Sequence, residues 1–240
     1  MTPHILFAVA VVLIFLSAIL ISVSKTRKTA EEKQHTASAL GFRPLEKAPP
    51  QLVQGIRRLH PQIPPQQLSI DNVFHQRDFD GDFYLFDLDD TSEDENTWQN
   101  TDVIGIISHK LALPRFYLIA LPPVNQEQWV GKLLDRILDK VFEWAAVHQG
   151  LSRVTFADRY GFDEQYALFV ENEITARGFF TEYRLSSLTA YNTPFQVVAA
   201  GHCMTVSHSY PISTKANISE LKTLYRRTRD LFHLFREKKI

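Results

Sequence analysis

LSIDNVFHQRDFDGDFYLFDLD, residues 68–89, is the part of the chain from which the architecture follows. Two β-rich arms, Leu68–Gln76 and Asp82–Asp89, lie on either side of Asp80-Gly81. Glycine accepts a positive φ without a Cβ clash, so the pair predicts a tight hairpin. Two more β-rich runs follow at Val103–Ser108 and Leu111–Leu121. The connections between these four runs are short, which predicts antiparallel neighbours, since a parallel pair needs a crossover of about a dozen residues. Pro114 falls in the fourth run and predicts an edge position or a bulge there.

Towards the C-terminus the period changes. From Gln126 to His148, Val130, Leu133, Leu134, Ile137, Leu138, Val141, Phe142 and Ala145 keep one helical face, with Asn125 and Gln128 resembling a capping box and Gly150 as the stop. Leu151–Ala157, Gln165–Val170, Tyr183–Thr189 and Phe195–Val206 are expected as strands or buried extended segments, with a short helix around Asn172–Gly178. A last helix starts at Asn217 and carries Ile218, Leu221, Leu224, Tyr225, Leu231, Phe232 and Phe235 on one stripe. The expected fold class is α+β: a mainly antiparallel sheet with two long amphipathic helices, over residues 68–240.

Towards the N-terminus the chain reads differently. Residues 25–67 are polar and proline-rich, with Pro44, Pro49, Pro50, Pro61, Pro64 and Pro65 crowded together, and are expected as an extended juxtamembrane tether. A short helix carrying Leu52, Val53, Ile56 and Leu59 is expected to interrupt it after Pro49-Pro50. Residues 1–24 are expected as a transmembrane anchor, because ILFAVAVVLIFLSAILISV, residues 5–23, is nineteen residues with two serines and no charge. As a helix it would span about 28 Å, close to the apolar thickness of a bilayer. A cleaved signal peptide is the alternative, with Ser22-Val23-Ser24 as its site. The leader Met1–His4 lacks Lys and Arg, and the apolar run exceeds the usual 7–15 residues, which favours an uncleaved anchor. Lys25, Arg27 and Lys28 follow the span directly, so the positive-inside rule predicts a cytoplasmic body behind an inner or plasma membrane.

Composition removes several classes of function. With 26 Lys+Arg against 27 Asp+Glu the net charge is -1, which argues against a dedicated nucleic-acid binder. The lone Cys203 removes an intramolecular disulfide framework and a thiolate-rich zinc site.

One string suggests catalysis. Asp87-Leu-Asp89-Asp90-Thr91 at the end of a strand resembles the first motif of the haloacid dehalogenase superfamily. That resemblance implies a Mg-dependent phosphohydrolase with Asp87 as nucleophile and Asp89 as acid/base. Ser108, Lys132, Asp158 and Asp163 would imitate its later motifs. The superfamily needs a parallel sheet, whereas Asp87 sits on the second arm of a predicted hairpin. The competing expectation is a strand end running into an acidic solvated loop, since Asp78–Glu95 holds nine acids and no base.

Asp78, Asp80 and Asp82 alternate as in a calcium loop, but Gly81 stands at the fourth position where such a loop has its glycine at the sixth, and Asp89 replaces the terminal Glu. Solvated hairpin acids are the expectation there. His202 and His208 lie about 20 Å apart if they share one strand, too far for one metal. No catalytic, cofactor-binding or metal-binding residue is assigned, and no cofactor is expected. The basic face of the last helix, net +4 over residues 216–240, suggests an anionic-lipid-sensing domain as a further alternative.

Taken whole, the chain resembles a group of uncharacterised bacterial single-pass membrane proteins. The shared features are the N-terminal anchor, Ala39-Leu-Gly41-Phe42, Gly81 with Leu85-Phe86-Asp87, Ile107-Ser108, Leu111-Ala-Leu113-Pro114-Arg115-Phe116, and Phe156, Phe162 and Tyr166-Ala-Leu168. The resemblance implies that Phe86-Asp87 belongs to a structural strand, and it supplies no catalytic residue. The expected function is a membrane-anchored, cytoplasmic-side binding or scaffold module with an unidentified protein partner.

Overall fold

The computed structural model describes residues 31–90, 99–121, 150–157, 161–191, 194–208 and 218–236. Among these residues nine strands form one sheet: β1 (Arg43–Pro44), β2 (Leu68–Arg77), β3 (Asp82–Asp90), β4 (Gln99–Ile107), β5 (Leu113–Ala120), β6 (Ser152–Val154), β7 (Tyr166–Val170), β8 (Gln196–Gly201) and β9 (Cys203–Ser207). Their order is β1-β2-β3-β4-β9-β8-β5-β7-β6, and every neighbouring pair is antiparallel. The helices are α1 over 31–39, α2 (Pro50–Leu59), α3 (Phe162–Gln165), α4 (Glu173–Phe179), α5 (Glu182–Thr189) and α6 (Ile218–Phe235). This is the expected α+β class with a large antiparallel sheet.

Strand alternation sorts the core into two layers. Along β3, Phe83 and Leu85 join one apolar cluster while Tyr84, Phe86 and Leu88 join the other. Phe116 and Leu118 against Tyr117 and Ile119 repeat the division on β5. The first face is covered by Ala37 of α1, by Ala176, Leu185 and Leu188 of α4 and α5, and by Leu221, Leu224, Leu231, Phe232 and Phe235 of α6. The second face is covered by Leu52, Ile56 and Leu59 of α2. Each of the Leu, Ile and Phe side chains among these contributes about 1.5–3 kcal/mol on burial.

The β2–β3 hairpin forms as predicted, turning at 78–81. Gly81 has φ +150°, and a Cβ there would sit 2.5 Å from the Ile107 carbonyl oxygen. α4 begins, as predicted, at Asn172, whose side chain accepts a hydrogen bond from the Thr175 N–H.

Four expectations are corrected. Residues 31–67, expected within a tether, are packed into the body: Ala37, Leu52, Ile56 and Leu59 are fully buried and Phe42 nearly so. The prolines there start structure, since Pro50 opens α2 and Pro65 opens a short 3-10 turn, where a missing N–H costs nothing. Strand β5 does not pair with β4, because the β8–β9 hairpin lies between them. Pro114 sits in a central strand at a register shift between Leu113 and Phe116, so the bulge is present and the edge is not. Phe195–Val206 is not one strand: Gly201, φ +58°, turns it back on itself. Tyr183–Thr189 is helical, with Leu185 and Leu188 spaced to bury one face. Among the described residues no helix is long and apolar enough to cross a membrane. The expected span at 5–23 and the expected helix at 126–148 lie outside the described residues.

Candidate functional site

Asp87 stands in the middle of an irregularity built on both sides of β3. Opposite it, β2 carries one extra residue between Asp71 and Phe74, and β4 carries one between Asn100 and Val103. Two left-handed residues accommodate these bulges, Asn72 at φ +50° and Asp102 at φ +63°, both of the types that tolerate that region best. The Asp87 carboxylate ties the bulges together. Asn72 Nδ2 donates to its Oδ2 at 2.6 Å, and the Asp102 backbone N–H donates to its Oδ1 at 3.1 Å.

The counter-charge comes from α1. Lys33 Nζ donates to Asp87 Oδ1 and lies 2.8 Å from Asp102 Oδ1, where it forms an ion pair without an aligned hydrogen bond. The three side chains are 10%, 15% and 12% exposed. One lysine therefore serves two largely buried carboxylates, and it fastens α1 to the sheet one turn before the fully buried Ala37. Asp89 is held above the usual carboxylate range, first by burial and then by the charges of Asp87 and Asp71.

This geometry corrects the phosphohydrolase reading of Asp87 and Asp89. The surrounding sheet is antiparallel, and the Asp87 oxygens are taken up by Lys33, Asn72 and a backbone N–H. Ser108 instead donates to the Asp80 carbonyl, and Asp163 accepts from the Phe156 N–H. Thr91, Lys132 and Asp158 lie outside the described residues.

The hairpin acids are engaged at the other end of the sheet. Asp78 Oδ1 accepts from the Asp80 and Gly81 N–H groups at 2.7 and 3.3 Å. Lys110 Nζ donates to the Phe79 carbonyl at 2.7 Å and pairs with Asp80 at 3.0 Å. Arg229 of α6 lies 3.4 Å from Asp78, and Arg236 lies 3.9 Å from Asp80. Asp82 pairs with His75 at 2.8 Å. Part of the basic face of α6 is thus spent on this turn. His202 directs Nδ1 to the Leu111 carbonyl. No group of three or more His, Cys, Asp or Glu suited to a metal ion occurs among the described residues.

A cavity of about 230 Å³ opens where the start of β8 and the end of β9 meet the first turns of α6. Pro194, Phe195 and Leu224 form its apolar wall, and His208, Glu220, Thr223 and Arg227 reach it as well. The Arg227 guanidinium lies 4.6 Å from the Tyr191 ring centroid and 5.0 Å from that of Phe195. Burial holds both His208 and Arg227 below their ordinary ranges. The sequence signal for this site was hidden, because its parts come from residues 194–195, 208 and 219–227: the register of β8 with β9 joins the first two, and the packing of α6 on the sheet adds the third.

The fold is shared with a solved protein. The chain is similar to the crystal structure of the mycobacterial trehalose monomycolate transport factor A, with a TM-score of 0.52 and 12% identity, over 87% of this chain and 94% of that chain. At that identity the likeness is one of architecture. No family model matches the chain, and no curated protein matches it.

Proposed function

We propose that the chain is a membrane-anchored binding or scaffold module without a catalytic centre, held by residues 5–23 with its α+β body on the cytoplasmic side. The observation that carries this reading is the sharing of architecture with a protein named as a transport factor, over nearly the whole of both chains. The nineteen-residue apolar run and the Lys25, Arg27 and Lys28 flank support the anchor and its orientation. The use of Asp87 as a tie between two bulges supports a structural role for the string that had suggested catalysis. Confinement to a surface raises the local concentration of the body near partners in the same membrane.

Alkaline carbonate extraction and a compartment-specific reporter fused after Ile240 test the reading. The full-length chain should stay in the membrane pellet, and the reporter should be active only when it is a cytoplasmic one. Release into the supernatant sinks the anchor, and a signal from the far side sinks the orientation. A crosslinked pull-down from native membranes then addresses the partner.

A further inference from the structure

We propose that the outer face of α6, together with the Phe79 tip of the β2–β3 hairpin, is a docking surface for an anionic lipid bilayer. This goes beyond the anchored-module reading and does not need the anchor. Lys222, Arg226, Arg229, His233 and Arg236 follow one another at alternating intervals of four and three residues, so they share one helical face in a row of about 21 Å. Arg236 stands just past the end of α6, and its N–H still donates to the Phe232 carbonyl at 2.9 Å, which keeps it in the row. The row lies away from Leu221, Leu224, Leu231 and Phe235, which are buried on the sheet.

The charge of this face is only partly spent inside the fold. Lys222 and Arg226 are exposed, and among the described residues neither forms an ion pair. Arg229, His233 and Arg236 reach Asp78 or Asp80 at 3.4 and 3.9 Å, and their side chains stay 39%, 41% and 43% exposed. Those separations exceed a charge-assisted hydrogen bond of about 2.7–2.9 Å, so both arginines retain donors for a phosphate. Lys110 pairs with Asp80 at 3.0 Å. Five permanent cations, Lys110 included, thus meet three carboxylates here, Asp78, Asp80 and Asp230, on a chain whose net charge is -1.

The turn adds an apolar tip. Phe79 lies between the two acids that meet the row, and it is 99% exposed. Its backbone is held from two sides: Asp78 Oδ1 accepts from the Asp80 and Gly81 N–H groups, and Lys110 Nζ donates to the Phe79 carbonyl. A single exposed ring is ordinary by itself. Beside a row of cations it supplies the other half of an interfacial contact, an apolar group that enters below the headgroups while basic groups meet them. Headgroups diffuse laterally and can each move to a cation of a fixed row, whereas a folded acidic protein would have to present a matching row of its own.

Co-sedimentation of the full chain, held in phosphatidylcholine nanodiscs, with sucrose-loaded vesicles tests the surface, with empty discs as the blank. Vesicles containing about 30% phosphatidylserine should bind the chain in about 0.1 M salt and release it in about 0.5 M, and pure phosphatidylcholine vesicles should not bind it. Lys222→Gln with Arg226→Gln should weaken binding about twentyfold, at about fivefold per basic residue, and flatten the salt dependence without moving Tm. Phe79→Ser should weaken binding about fivefold and leave the salt dependence as in the wild type. Arg57→Gln with Arg58→Gln removes the same charge from α2 on the other face of the sheet and should leave binding unchanged. Equal binding to both vesicles, wild-type affinity in Phe79→Ser or in the α6 pair, or an equal loss in the α2 pair overturns the proposal. Binding of soluble poly-glutamate through Lys222 and Arg226 with none to vesicles assigns the face to an acidic protein and overturns it too. Carbonate extraction reads the anchor separately: a chain that washes off is assayed without discs, and each outcome keeps its meaning.

Discussion

Replacing Lys33 with Met should destabilise the chain far more than loss of an ordinary surface lysine. The side chain of Lys33 is 10% exposed, and the carboxylates it serves, Asp87 and Asp102, are 15% and 12% exposed. An exposed ion pair contributes about 0–1 kcal/mol. Removing one partner of a buried pair costs about 3–5 kcal/mol, because the remaining charge stays without a counter-ion. Here two carboxylates lose the same cation, while their residual exposure lets water recover part of the loss, so the expected cost is about 2–4 kcal/mol. The neutral triple variant Lys33→Met with Asp87→Asn and Asp102→Asn should regain a large share of it, since no unpaired charge is left and Asn tolerates the left-handed backbone at 102. Urea unfolding of the full chain in a non-ionic detergent gives the free energies. Amide exchange gives the location: residues 31–39 should exchange faster in Lys33→Met while β3 and β4 stay protected. A change below about 1 kcal/mol with an unaltered m-value, or a triple variant weaker than the single one, would refute the assignment of Lys33 as a shared buried counter-ion.

Three further outcomes follow from other parts of the fold. His60 is buried, and burial first, then the charge of Arg115, lowers its pKa from 6.5 to about 4. The unfolded chain therefore takes up a proton between those values that the folded chain refuses, so stability should fall as pH drops from about 6.5 to about 4, by up to about 3 kcal/mol. His60→Leu should flatten that part of the stability–pH curve. Gly81→Ala should lower stability by about 2–3 kcal/mol, because the new methyl meets the Ile107 carbonyl at 2.5 Å with the backbone at φ +150°; a melting curve overlying that of the wild type would count against the contact. Cys203 is buried and its thiol is pushed up to about 12, mainly by burial, so a thiol reagent at pH 8 should label it only at the rate of opening, and rapid labelling of the folded chain would contradict its placement.

The sheet was legible where the signal is local. Asp80-Gly81 between two alternating arms gave the hairpin, and Asn172 gave the start of α4, because turn and cap chemistry acts within a few residues. Sheet order was not legible. The insertion of the β8–β9 hairpin between β4 and β5 depends on which apolar faces fit after collapse, and the short 107–113 connection argued for the wrong neighbour. Tyr183–Thr189 looked extended because it contains aromatic and polar residues without a long period, yet Leu185 and Leu188 suffice for a two-turn helix once a core exists to receive them. At the site, Asp87 was visible but its role was not. The string that resembled a nucleophile motif is a bulge tie, and its partners Lys33, Asn72 and Asp102 lie 54, 15 and 15 residues away.

The packing of 31–67 alters the physical argument for an anchored module. A fully extended tether over 25–67 would let the body range about 145 Å from the bilayer. With α1 fastened to the sheet through Lys33, the link from Val23 to residue 31 is eight steps, at most about 27 Å. Under the proposed anchor at 5–23 the body would be confined to a shell close to the surface. Effective concentration rises as the accessible volume shrinks, provided the partner lies within reach. Partners embedded in or lying on the same membrane gain from that confinement, whereas a partner that must be met far from the surface loses. Because Lys33 holds both α1 and the paired bulges, one ion cluster sets where the packed body begins, and under the proposed anchor that start limits how far the body could stand from a bilayer.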